Sequence, residues 1–130
     1  MSAAVEDLAW GRIVSDAPQP ERPVRVTLSY EPADDPRAVR FSFPSGFTFP
    51  GESGGTVLPH DWTFPREVLE TGLRAPAHSG NVEVWPCGRV QAVVEFHTAD
   101  GVSVVQFDTS ALNRFLRHTY AAAGAEAPTA

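Results

Sequence analysis

The strictest constraint on this chain is the alternation between Val24 and Tyr30, where Val24, Val26, Leu28 and Tyr30 are interleaved with Arg25, Thr27 and Ser29. A period of two places the apolar side chains on one face and the polar ones on the other, so the segment is half-buried β-strand rather than amphipathic helix. Val39, Phe41 and Phe43 repeat the pattern. Glu31 to Pro36, between the two runs, is a turn, because proline fixes φ and Asp side chains satisfy local backbone groups. An earlier strand is expected from about Val5 to Val14, weakened at Gly11, with Pro18 to Pro23 as the connector.

From Pro44 to Pro59 glycines and prolines punctuate the chain, and the insertion over about residues 44–61 reads as a long loop or a protruding hairpin. A short helix follows. Pro65 is placed at its first position, where a missing N–H costs nothing, Val68 and Leu69 form its apolar side, and Gly72 supplies a left-handed cap with Leu73 packing back. Val82 to Trp85, Val90 to His97 and Val102 to Phe107 are expected to form a meander, turned at Pro86-Cys87-Gly88 and Asp100-Gly101. Leu112, Phe115, Leu116 and Tyr120 fall on one face of a closing helix, capped by Asp108 or Thr109, with Arg114, Arg117 and His118 on its solvent side or in its last turns. The expectation is therefore an α+β fold of about six to seven antiparallel strands, a short central helix and a C-terminal helix. One domain spans residues 1–120, and 121–130 form a flexible tail.

Composition narrows the function classes. A formal net charge of -6 has the wrong sign for unspecific nucleic-acid binding, which depends on basic groups displacing counterions from phosphates. No apolar run is long enough for a membrane span, and the segment after Met1 has neither the basic start nor the apolar core of an export signal. With Cys87 alone, neither an internal disulfide nor a Cys-rich metal site can form, which suits a reducing cytoplasm. All ten basic residues are Arg, a bias expected of a GC-rich genome.

No catalytic constellation emerges. His60, His78, His97 and His118 show no i, i+4 pair and no HExxH, and no GxSxG nucleophile turn occurs. Gly51-Glu-Ser-Gly-Gly55 lacks the GK[ST] ending of a phosphate loop, and Cys87 reads as a turn residue. Glu67 with Glu70, and Glu83 with Glu95, read as carboxylates on exposed faces. No catalytic, metal-ligating or cofactor-binding residue is assigned. Phe43, Phe47 and Phe49 are the candidate partner-binding residues, because aromatic side chains in or beside a Gly/Pro-rich insertion either mark an interface or fold back into the core. Trp62 and Trp85 are expected in the core.

The stretch from Trp62 to Pro86 resembles the central signature of the SsgA-like proteins: Trp62 and Phe64, Arg66 before a helix carrying Leu69 and ending in Gly72-Leu73, Pro76 and Gly80, then Val82, Val84, Trp85 and Pro86. Leu28-Ser-Tyr30, Asp35-Pro36 with Val39 and Phe41, and Phe115-Leu-Arg-His-Thr119 are similar to the same family. The longer connection from Ser45 to Asp61, Asn81 in place of Asp, and Pro65 depart from its pattern. The resemblance implies a Whirly-like α+β architecture assembled as a homotrimer. It also implies a role in sporulation-linked division of actinobacteria, including positioning of the tubulin-like GTPase FtsZ at the septum. The function expected is a non-enzymatic adaptor that binds septum-forming or cell-wall-remodelling proteins without a cofactor. The alternative is a single-stranded nucleic-acid binder, against which the charge argues, and a small-molecule or metal enzyme ranks below both.

Overall fold

The computed structural model describes residues 4–14, 22–44, 61–98 and 101–126. Eight strands, β1 (Val5–Val14), β2 (Arg22–Tyr30), β3 (Ala38–Ser42), β4 (Asp61–Pro65), β5 (Ala77–Ser79), β6 (Val82–Cys87), β7 (Gln91–Thr98) and β8 (Gly101–Asp108), form one sheet. The order is β4-β3-β2-β1-β8-β7-β6-β5, with antiparallel pairing throughout. Helix α1 (Arg66–Gly72) packs on β5 and β6, and α2 (Thr109–Glu126) lies on β1 and β8.

Alternation sets which face each strand buries. Val24, Val26, Leu28 and Tyr30 of β2, Val39 and Phe41 of β3, and Val105 and Phe107 of β8 belong to one core cluster with Leu112, Phe115 and Leu116 of α2. The sheet is strongly curled. Phe41 lies 5.5 Å from Phe107 although β2 and β1 separate their strands, and Trp62 of β4 lies 4.8 Å from Phe96 of β7. Strands three places apart in a flat sheet would be about 14 Å distant, so only a coiled sheet brings these rings together.

The described residues hold eight strands against the expected six to seven, and β4 and β5 are the ones not foreseen. β4 is the short run Asp61–Pro65 in which Trp62 and Phe64 are buried and their neighbours exposed, and β5 has only three residues. Pro65 is the N-cap of α1 rather than its first residue, extended at φ -62 and ψ 136, because a proline φ fits a strand end as well as a helix start. Gly72 lies within α1, and no left-handed cap forms there: the glycines with positive φ among the described residues are Gly80, Gly88 and Gly101. Its smallness serves packing instead, since a Cβ at Gly72 would overlap the Val84 side chain and sit 2.9 Å from the Val84 carbonyl oxygen. Gly11 has a similar reason, for a Cβ there would lie 2.6 Å from Cγ1 of Val105.

Pro86 and Cys87 belong to β6, opposite Ala92 and Gln91, so the turn is Gly88–Val90 with Gly88 at φ +71. The meander of β6, β7 and β8 is otherwise as the alternation predicts. Helix α2 runs to Glu126, past the start of the expected tail, because Ala121, Ala122 and Ala123 favour helix continuation. Residues 127–130 lie outside the described residues, as does most of the 44–61 insertion.

Candidate functional site

The candidate contact aromatics divide. Phe43 is 5% exposed and meets Phe96 edge-on at 5.4 Å, because it continues the inward parity of Val39 and Phe41. Phe47 and Phe49 lie outside the described residues. Trp62 is buried with its indole N–H unpartnered, whereas Trp85 is half-buried on the outer sheet face, where it donates to the Glu95 carboxylate.

The chemically versatile side chains meet in pairs and in one cross-strand row. His78 stands opposite Glu83, and Glu83 opposite Glu95. His97 lies 3.1 Å from Glu95, His118 binds Asp7 at 2.7 Å, and His60 is outside the described residues. Among the described residues no group of three or more His, Cys, Asp or Glu could hold a metal ion. The Cys87 thiol is partly buried and takes a contact from the Gln106 side-chain amide at 3.7 Å.

Two surfaces stand out. The first is the outer face of β1, where the large apolar side chains Leu8, Trp10 and Val14 are 52%, 61% and 43% exposed. Arg25, opposite Trp10 on β2, places its guanidinium 5.5 Å from the indole centroid. The sequence carried a signal for this surface, because Leu8, Trp10 and Val14 are apolar at one parity while Ala9 and Ile13 are apolar at the other. A strand apolar on both faces covers two cores or faces a partner.

The second is a cavity of about 660 Å³ where the ends of β3 and β4 meet α1 and α2, lined among others by Asp35, Arg37, Phe64, Arg66, Glu70 and Tyr120. Arg66 crosses it. Its guanidinium carbon lies 5.2 Å from the Tyr30 ring centroid and 4.0 Å from that of Tyr120. One guanidinium N–H donates to the Tyr30 hydroxyl at 3.3 Å, and that hydroxyl donates to the Pro36 carbonyl at 2.9 Å. Tyr120 was expected on the buried face of α2, yet it is 47% exposed and Thr119 takes the buried place, its hydroxyl satisfied by the Leu116 carbonyl. The Tyr120 hydroxyl instead donates to the Glu70 carboxylate, which holds its pKa above the ordinary tyrosine value; partial burial and the Glu70 charge act the same way, and Arg66 opposes them. A second cavity, of about 560 Å³, shares Glu70 and Tyr120 with the first and continues between the helices past Arg74, Asn113 and Arg117.

Sequence reasoning placed Arg66 only within a family signature and Tyr120 only in the core. Their meeting could not be read locally, since Tyr30, Arg66 and Tyr120 come from β2, α1 and α2.

The profile of a family described as Streptomyces sporulation and cell division protein, SsgA, matches residues 24–127. The sporulation-specific cell division protein SsgB of Salinispora tropica is 39% identical over 101 residues, covering 75% of this chain and 65% of that protein. The SsgB of Frankia casuarinae is 36% identical over 104 residues, covering 77% of this chain and 65% of its own length. This chain thus spans just under two thirds of those relatives. A solved SsgB structure, described with mutations in SsgB that correlate to longitudinal cell division during sporulation of Streptomyces coelicolor, superposes with a TM-score of 0.74 at 27% identity over 94% of this chain and 88% of that one. An SsgA-like sporulation-specific cell division protein from Thermobifida fusca shares the fold, with a TM-score of 0.75 at 23% identity over 95% of this chain and 84% of the other.

Proposed function

Because the chain belongs to the SsgA family of sporulation and cell-division proteins, we propose that it is a non-enzymatic adaptor which binds a septum-forming or cell-wall-remodelling protein and helps to position it during sporulation-linked division. FtsZ is the first partner to test, on the family's account. The family match carries this reading. The exposed apolar side chains Leu8, Trp10 and Val14 suit contact with a further chain, which in this reading is a second copy. The reading places the protein in the cytoplasm at the division septum. No helix among the described residues is long and apolar enough to cross a membrane. It also includes a homotrimer, with the outer face of β1 as the surface between copies. Phe47 and Phe49, in the 44–61 insertion, are the proposed partner contacts, adjoining the core residue Phe43.

The test is a pull-down from lysate of a sporulating actinobacterium, with the intact protein beside a variant carrying Phe47→Ser and Phe49→Ser. Retention of division proteins by the intact form, and their loss from the variant, is the expected result. Turnover of a substrate with no division protein retained would overturn the adaptor. The single-stranded nucleic-acid reading is favoured by one observation, the exposed Trp10 ring beneath the Arg25 guanidinium, a pairing able to stack on a base. Salt-sensitive binding of an unstructured oligonucleotide, lost in Trp10→Ala, would establish it in place of the adaptor.

A further inference from the structure

We propose that the paired cavities on either side of the Tyr120 and Glu70 contact form a docking site for an acidic peptide segment of a protein partner, with Arg66 as the group that takes its carboxylate. The inference deepens the adaptor reading and rests on it. Its first ground is how Arg66 is held. Two aromatic faces and the Tyr30 hydroxyl fix the guanidinium plane, so little side-chain freedom remains to be lost when a ligand arrives. A guanidinium has five N–H donors in a fork matched to a carboxylate. Yet the ion pairs among the described residues are Arg74 with Glu70, His97 with Glu95 and His118 with Asp7, and Arg66 is in none of them. A half-buried guanidinium ordered on its faces and lacking an anion is organised for one.

The second ground is the state of the acidic groups around it. The Asp35 carboxylate accepts the backbone N–H of Arg37 at 2.9 Å, and Glu70 accepts the Tyr120 hydroxyl and lies 3.9 Å from Arg74. Of the lining carboxylates only Glu67 has no such engagement, and it is exposed on the first turn of α1. A cationic ligand finds no seat here, because Arg66 already covers the Tyr30 and Tyr120 rings that would attract it. Asp35, Glu67 and Glu70 at the rim repel an anion of either kind, so the ligand is one whose carboxylates are spaced by apolar residues to reach the Arg side chains, and not a continuous row of phosphates. A peptide can set one carboxylate on Arg66 and lay an apolar neighbour along Pro65 and Ala38. Across the Tyr120 and Glu70 contact, Arg117 and Arg74 line the second cavity and can meet a second carboxylate of the same extended segment.

The test uses fluorescence polarisation of the intact chain with a labelled synthetic peptide alternating Asp and Leu, a control with Asn for Asp, and a labelled oligo-dT. The intact protein is expected to bind the acidic peptide about tenfold more tightly than the amide control, the span of one charge-assisted hydrogen bond. Arg66→Gln should lose about that factor, and Arg66→Lys should recover only part of it, because an ammonium keeps the charge without the fork. Arg117→Gln, an exposed change on α2, should weaken binding several-fold with the circular dichroism unchanged, and keeps the test open if Arg66→Gln unfolds. Equal binding of acidic and amide peptides, no binding of the acidic peptide, or full binding by folded Arg66→Gln would overturn the site. Oligo-dT bound in preference to the peptide would do so too. A pull-down in which folded Arg66→Gln still retains division proteins would sink the site and leave the adaptor standing on another surface.

Discussion

At the scale of single residues, Gly72 shows how packing can require glycine where no turn does. A Cβ there would overlap Val84 of β6, and Gly72→Ala should destabilise the fold by about 1–3 kcal/mol, the usual cost of forcing a methyl into a filled space. Urea unfolding checks this, and an unchanged midpoint would mean that α1 can lift from β6 freely. Tyr120 offers a spectroscopic test. Its phenol is held above the ordinary tyrosine pKa first by its hydrogen bond to Glu70. A raised folded pKa means that the contribution is fully present below the ordinary tyrosine pKa and is lost as pH rises through the folded value. In a titration followed by ultraviolet absorbance or ring NMR, Tyr120 should ionise at higher pH than free tyrosine, and Glu70→Gln should bring it back down. The two tyrosines are separable, because Tyr30 is 1% exposed and Tyr120 nearly half exposed.

Helix α2 sets a core side chain and a surface contact three residues apart. Phe115 is fully buried between the helix and the sheet, so Phe115→Ala should cost about 3–5 kcal/mol, as large-to-small changes in cores do. His118 reaches Asp7 of β1 at 2.7 Å but is half exposed, so His118→Ala should cost no more than about 1 kcal/mol. Chemical denaturation of the two variants side by side would show the contrast, and equal losses would mean that the helix is held by its polar contacts. The inward face of α2 was legible as far as Leu116 because a period of 3.6 fixes it. Tyr120 was misassigned because its ring reaches the rim, where Arg66 and Glu70 offer partners that a helical projection does not display. β1, β2 and β3 were legible for the corresponding reason, with period two in place of 3.6. β4 and β5 were not, since five and three residues carry too few repeats to declare a period.

For the whole molecule, the curl of the sheet brings Phe41 and Trp62 onto Phe107 and Phe96, while the alternation of β1 leaves Leu8, Trp10 and Val14 on the outer face. If that outer face joins copies of the chain, sedimentation should give a trimer for the intact protein and a smaller species for Trp10→Ser with Val14→Ser, with the circular dichroism retained. A trimer unaffected by both changes would move the interface elsewhere. The sequence by itself determined the class of fold, the parity of the long strands, the inward stripe of α2 and the family, because each is written in local periodicity or in consecutive motif residues. Only the tertiary structure decided the strand order, the place of Gly72 against Val84, and the stacking of Arg66 between Tyr30 and Tyr120. The physical reason is common to all three. Each depends on how far the sheet coils and where the helices settle on it, a balance of contacts between residues distant in the chain that no local pattern encodes.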